Sequence, residues 1–147
     1  MNWKAPLLCL TLLVSGNAQE APAPLAKRYP SLKVQGKVGT KRNKQGDSSY
    51  MQTMTISPQV VIESAPTQPM AAAEAVFLIV TMDTGKKYRQ REEEYLVASN
   101  ETVPIPAVER GSRRSFDFAS IKTQFDSWRD GSNVGGTVYK YYLMAVR

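Results

Sequence analysis

From Leu32 onward the chain alternates apolar and polar residues in short bursts separated by turn-forming clusters. Leu32, Val34, Gly36 and Val38 interleave with Lys33, Gln35, Lys37 and Gly39, the period of two expected of a half-buried strand. Thr40 to Ser49 is polar and reads as a turn or loop. Tyr50, Gln52, Met54 and Ile56 alternate next, Pro58 interrupts, and Val60-Val61-Ile62 resumes before the breaker Ala65-Pro66-Thr67-Gln68-Pro69. Ala75 to Met82 is the strongest apolar run of this region. It is short, rich in β-branched residues and ended by Asp83-Thr84-Gly85-Lys86, which predicts a central strand buried on both faces. Gly85 suits a hairpin turn into Lys87–Ser99.

That following segment carries a conflict. Arg89-Gln90-Arg91-Glu92-Glu93-Glu94 has helical propensity, whereas Tyr95-Leu96-Val97 is strand-like and Asn100 and Pro104 would soon stop a helix. The reading adopted is an edge strand with Arg and Glu facing water and a neighbouring strand. Thr102-Val103-Pro104-Ile105-Pro106 must be extended, because each proline fixes its own φ and drives its predecessor out of the α region. Arg110-Gly111-Ser112 is a turn, Phe116 and Phe118 flank Asp117, and Thr123–Trp128 is a further strand. Asp130 to Gly136 forms a Gly-rich loop, and Thr137 to Val146, with Tyr139, Tyr141 and Tyr142, reads as a last core strand. By strand alternation Tyr139 and Tyr141 share one face and Tyr142 takes the other. No sustained period of 3.6 follows residue 18. The pattern predicts an all-β, immunoglobulin-like β-sandwich of about seven or eight strands, with a closed barrel as the rival.

The first residues read as an address. Lys4 supplies a positive start, Pro6–Val14 an apolar run, and Ser15-Gly16-Asn17-Ala18 small residues before a cut after Ala18. The run is shorter than the roughly 20 apolar residues a bilayer-spanning helix needs. Three segments follow: a signal helix over 1–18, a flexible Pro/Ala-rich linker over 19–30, and one β-sandwich domain over 31–147 with no transmembrane span. Cys9, the only cysteine, leaves with the signal, so an exported protein would enter an oxidising compartment without a disulfide and rely on its core. That combination points to a bacterial exported protein, periplasmic or secreted.

Three stretches carry a family resemblance: Ala75–Asp83, Thr102-Val103-Pro104-Ile105-Pro106, and Ser127-Trp128-Arg129-Asp130-Gly131-Ser132-Asn133-Val134-Gly135-Gly136-Thr137-Val138-Tyr139. In these the chain resembles small, exported, uncharacterised bacterial β-sandwich proteins of immunoglobulin- or fibronectin-like build. The resemblance covers roughly the last two-thirds of the chain, implies a sandwich fold and brings no catalytic residue with it.

Composition removes several chemistries. There is no histidine, which excludes Ser-His-Asp and Cys-His catalysis and zinc sites built on histidine. Without a cysteine after residue 18, thiolate nucleophiles and thiolate metal sites go too. No phosphate-binding glycine motif follows a strand. What survives is carboxylate or Ser–Lys chemistry, so an enzyme using carboxylates stays as a third alternative, and a non-catalytic protein without cofactor or metal is the expectation adopted. Glu92-Glu93-Glu94 reads as a solvated charge run rather than a glycosidase pair. Asp126, Asp130 and Asn133 frame a loop whose oxygens could face calcium, but the EF-hand ligand order is missing and a plain turn is the preferred reading.

Charge adds one feature. The net charge is +6, and between Ala21 and Gly46 lie seven basic residues and no acidic one, against 11 basic and 12 acidic from Asp47 to Arg147. Lys33, Lys37, Lys41, Arg42 and Lys44 are thus a candidate surface for an anionic glycan or lipid, or lysines that keep an exposed strand from pairing with other chains. Export argues against nucleic acid. Trp128, beside the Gly-rich loop, is a candidate sugar-stacking residue. Two functions follow as expectations: a binding or structural module at the cell envelope acting through protein contacts, and a carbohydrate- or anionic-polymer-binding module using the basic arm or exposed aromatics.

Overall fold

A computed structural model describes residues 25–47 and 50–147; the signal segment, the cut after Ala18 and the first part of the linker lie outside the described residues. Leu25–Arg28, within the expected linker, form one helical turn, α1. Tyr29 and Leu32 then pack on the core, and the Tyr29 hydroxyl accepts the Ala71 N–H at 3.1 Å. Among the described residues no helix is long and apolar enough to cross a membrane.

Among the described residues seven strands follow: β1 (Lys33–Lys44), β2 (Met51–Glu63), β3 (Ala73–Asp83), β4 (Tyr95–Ile105), β5 (Arg113–Asp117), β6 (Ile121–Asp126) and β7 (Thr137–Val146). They form two antiparallel sheets of an all-β sandwich. In one, β2 is central, with β1 on one edge and β5 and β6 sharing the other. In the second, β3 lies between β4 and β7.

The inner faces interdigitate as period-two burial dictates. Met54, Ile56, Val60 and Ile62 of β2 meet Ala75, Phe77 and Ile79 of β3, with Met70, Ile105, Val108, Phe118 and Phe125 closing the ends. Phe77 sits at the centre, its ring 5.0 Å from that of Phe118 and 4.9 Å from that of Tyr142. Burying such a ring contributes about 1.5–3 kcal/mol, plus about 0.5–1.5 kcal/mol for aromatic pairing. The expectation that β3 is central holds. Its inner face is fully buried, and outward Val76 and Leu78 are half-buried.

Gly36 admits Tyr142 to this core. A Cβ there would lie 2.7 Å from the Tyr142 ring, and the Tyr142 hydroxyl donates to the Gly36 carbonyl at 2.9 Å. The missing side chain is what allows the last strand to close over the first.

Three sequence expectations are adjusted. β1 runs on through Thr40–Lys44, because β2 offers a paired register as far as Lys44↔Gln52. β2 continues through Pro58 instead of stopping there. The missing N–H is accommodated where the opposite strand breaks: β5 ends at Asp117 opposite Gln59, and β6 begins at Ile121 opposite Ile56. Three residues, Phe118 to Ser120, thus face two, the count of a bulge beside a proline. Finally, no tight hairpin joins β3 to β4; Lys86–Gln90 make a single π-helical turn ended by Arg91 at φ 58°, and β4 starts only at Tyr95. Its edge position is as expected.

Candidate functional site

The five cations of the basic arm all lie on β1 but on both of its faces. Alternation sends Lys33, Lys37 and Lys41 outward, and Arg42 and Lys44 to the other side. Lys33 pairs with Glu63 at 3.0 Å, which lowers the Glu63 carboxyl pKa. At this exposure the pair adds little stability. The lysines recur on an edge strand, the placement that discourages pairing with another chain. Arg42 instead turns towards the end of the sandwich, its guanidinium 5.7 Å from the centre of the Phe125 ring.

A cleft of about 260 Å³ opens there, between the two sheets. Arg42 of β1, Arg129 beyond β6 and Lys140 of β7 line it together with Tyr88 of the π-helical turn, Tyr139 and Asp126. Lys140 owes its place to a bulge: Val80 pairs with Tyr141 and Thr81 with Tyr139, leaving Lys140 as the extra residue. The same bulge breaks the alternation expected of the tyrosines. Tyr139 and Tyr142 both pack on the core, while Tyr141 is exposed on the outer face. Burial raises the Tyr139 phenol pKa above its ordinary value.

The Gly-rich loop is held by Asp126, which is 1% exposed. Its Oδ1 accepts the Trp128 N–H at 2.8 Å and its Oδ2 the Val134 N–H at 2.7 Å. Asn133, also buried, donates from Nδ2 to the Asp126 carbonyl at 3.2 Å and to the Trp128 carbonyl, and accepts the Gly135 N–H at 2.8 Å. Asp130 takes the Ser132 N–H at 2.9 Å and the Ser132 hydroxyl. These oxygens serve the loop's own backbone, and no cluster of three potential metal ligands occurs among the described residues. Trp128 is 45% exposed, with its ring 4.9 Å from that of Tyr50. It forms no row with the tyrosines of β7, two of which face inward.

The Glu run binds the turn that precedes β4. Glu93 accepts from Lys87 Nζ at 2.8 Å and from the Tyr95 hydroxyl at 2.6 Å, and Glu94 lies 3.5 Å from Lys86 Nζ. The hydrogen bonds from Lys87 and Tyr95 hold the Glu93 carboxyl at about 2, against an ordinary 4.5. A depressed carboxyl favours the folded chain above its unfolded value, and that contribution is lost as pH falls through about 2. The Lys87 pKa is raised by the same bond, so its contribution is present below 10.5 and lost at more alkaline pH. NMR titration of the Glu93 carboxyl should give a midpoint near 2, rising towards 4.5 in Lys87→Met. An unchanged midpoint in that variant would remove Lys87 as the cause.

The remaining surface feature is the β4 edge. Tyr95 is 41% exposed and Val97 62%, with Leu96 also exposed between them. Val80 pairs with both Val97 and Tyr141, and Leu78 with exposed Leu143. The edge therefore continues onto an apolar outer sheet face, where the Tyr95 and Tyr141 rings lie 5.9 Å apart. β4 pairs on one side only and, unlike β1, holds no lysine or arginine from Tyr95 to Ile105.

Arg129, Lys140 and Tyr88 had no signal in sequence; they are isolated residues that only the folded ends of three elements bring together.

No protein-family model matches the chain. No curated protein matches it either. A solved structure, described as "X-ray structure of Northeast Structural Genomics Consortium target SoR45", is similar at 12% identity and a TM-score of 0.30, over 76% of this chain and 84% of that one. At that level the likeness carries no functional argument.

Proposed function

We propose that the chain is an exported, non-catalytic immunoglobulin-like module that binds protein at the cell envelope by accepting an extended segment along β4. The lysine- and arginine-free edge carries this reading, with a bulge at Ala98 marking where its regular stretch ends after Val97. Tyr95, Leu96 and Val97 stand exposed on a strand that pairs on one side only, with no cation to repel an incoming strand. Pro104, lacking an N–H, limits the receptive stretch to the part before it. The strand order supports the immunoglobulin-like part for five strands: the first, second and fifth share one sheet, and the third and last the other, whereas the fourth and sixth lie in the opposite sheets from that pattern. The leader-like residues 1–18 support export, and the absence of histidine supports a binding role over catalysis. A second reading, carbohydrate or anionic-polymer binding, is supported by the cations of the end cleft rather than by the lysine row.

The test places a photo-crosslinking side chain at Tyr95 in the native host, with Lys37 of β1 as the control position. A protein adduct is expected from position 95 and not from 37, and it should disappear when Val97→Lys is added. Val97 is exposed, so that substitution should change stability by no more than about 0.5 kcal/mol. Equal adducts at both positions, or an adduct indifferent to Val97→Lys, would refute strand addition at β4.

A further inference from the structure

Arg42 of β1, Arg129 of the loop after β6 and Lys140 of β7 reach the end cleft from three separate parts of the chain. None of them forms an ion pair within 4 Å among the described residues. Their only acidic neighbour on the wall, Asp126, has each carboxylate oxygen engaged by a backbone N–H and offsets one of the three positive charges, leaving two in excess. Glu93 lies within electrostatic reach of Lys140 but is itself bonded to Lys87 and Tyr95. The cleft thus keeps a net positive charge and two guanidinium forks, the groups best shaped for two-point recognition of a carboxylate or sulfate.

Charge alone would suit any anion; the rest of the wall narrows the class. Tyr88 and Tyr139 contribute aromatic surface and hydroxyls beside the cations, and Phe125 lies under Arg42. Flat rings pack against the apolar face of a sugar while hydroxyls meet its polar rim. At about 260 Å³ the cleft lies just below the roughly 300–1,000 Å³ of ordinary small-molecule sites, room for one ring with its charged substituent. We propose that this cleft binds an acidic saccharide, with Arg129 and Arg42 holding the carboxylate or sulfate of one sugar residue and Tyr88 and Tyr139 flanking its ring. This rests on and deepens the second reading above and does not depend on strand addition at β4. The lysines of the outer β1 face take no part.

The experiment titrates the full chain with glucuronic acid, glucose 6-sulfate, glucose and inorganic sulfate, read by NMR shift changes at low and high salt. Saturable, salt-weakened binding of the two acidic sugars is expected, with shifts mapping to Arg129, Lys140 and Tyr88, and much weaker binding of glucose and sulfate. Arg129→Gln and Arg42→Gln, both at exposed positions, should each weaken binding about tenfold or more. Lys33→Gln/Lys37→Gln/Lys41→Gln and Val97→Lys should each leave it unchanged, which separates the cleft from strand addition. No binding of either acidic sugar would overturn the proposal. So would sulfate binding as tightly as glucose 6-sulfate, glucose binding as tightly as glucuronic acid, or loss of binding in the outer-lysine variant.

Discussion

Gly136→Ala is expected to destabilise the fold by about 3–5 kcal/mol, while Gly131→Ala in the same loop stays within about 0.5 kcal/mol. Gly136 has φ 106°, and a Cβ there would lie 2.3 Å from the Gln124 carbonyl oxygen and 2.6 Å from the Phe125 Cα. Both are backbone atoms of β6, so relief requires a strand to move. The same residue stitches the two sheets. It bridges Phe125 of β6, and its carbonyl accepts the Thr84 N–H at 2.9 Å and the Thr84 hydroxyl at 3.2 Å. Gly131 has nothing within 4 Å of its added Cβ. Urea denaturation of the two variants checks this. Equal midpoints would mean that the crowding at Gly136 is not a real constraint.

Asp126→Ala should cost about 2–6 kcal/mol and lower the melting temperature by about 10 °C or more. The carboxylate satisfies the N–H groups of Trp128 and Val134 from a nearly fully buried position. Truncation leaves both donors without that partner, at about 1–3 kcal/mol for each one that water cannot reach. Asp126→Asn keeps one acceptor and should fall between. EDTA should leave the melting temperature of the unaltered protein unchanged. A rise of several degrees with calcium, absent in Asp126→Ala, would instead make the carboxylate a metal ligand.

Much of the fold was legible because most strands obey one simple rule. Ala75–Met82 reads as central on apolar content alone, and β3 is central. The prolines of Thr102–Pro106 demand extended backbone, and β4 runs to Ile105. Failures occurred where a distant partner decides the outcome. Pro58 looks like a stop until β5 and β6 are seen to part opposite it. The tyrosines of β7 alternate in sequence, but the bulge at Lys140 turns Tyr139 inward and leaves Tyr141 outside. The candidate sites follow the same division. The charge of the basic arm is plain in the sequence, whereas its division between an outer lysine row and the inward Arg42 needs strand register. Arg129 is a single cation in a largely polar loop and Lys140 a single cation among the tyrosines of β7, and nothing local marks them as neighbours across a cleft.

The contact between Tyr142 and Gly36 also sets a clock. These residues are 106 positions apart, and the ring of one fills the gap left by the other. A core closed by so distant a pairing forms late, because the entropy of joining remote segments must be overcome before the contact rewards it. Until β7 docks, β3 has only β4 as a sheet partner, and the apolar edge Tyr95–Val97 is already presented to its surroundings. During synthesis β4 is made before β7, so there is an interval in which the apolar edge strand exists and the strand that closes the core does not. Its yield should depend on how fast that interval ends, and a chaperone that shields β4 would help most before the last strand arrives.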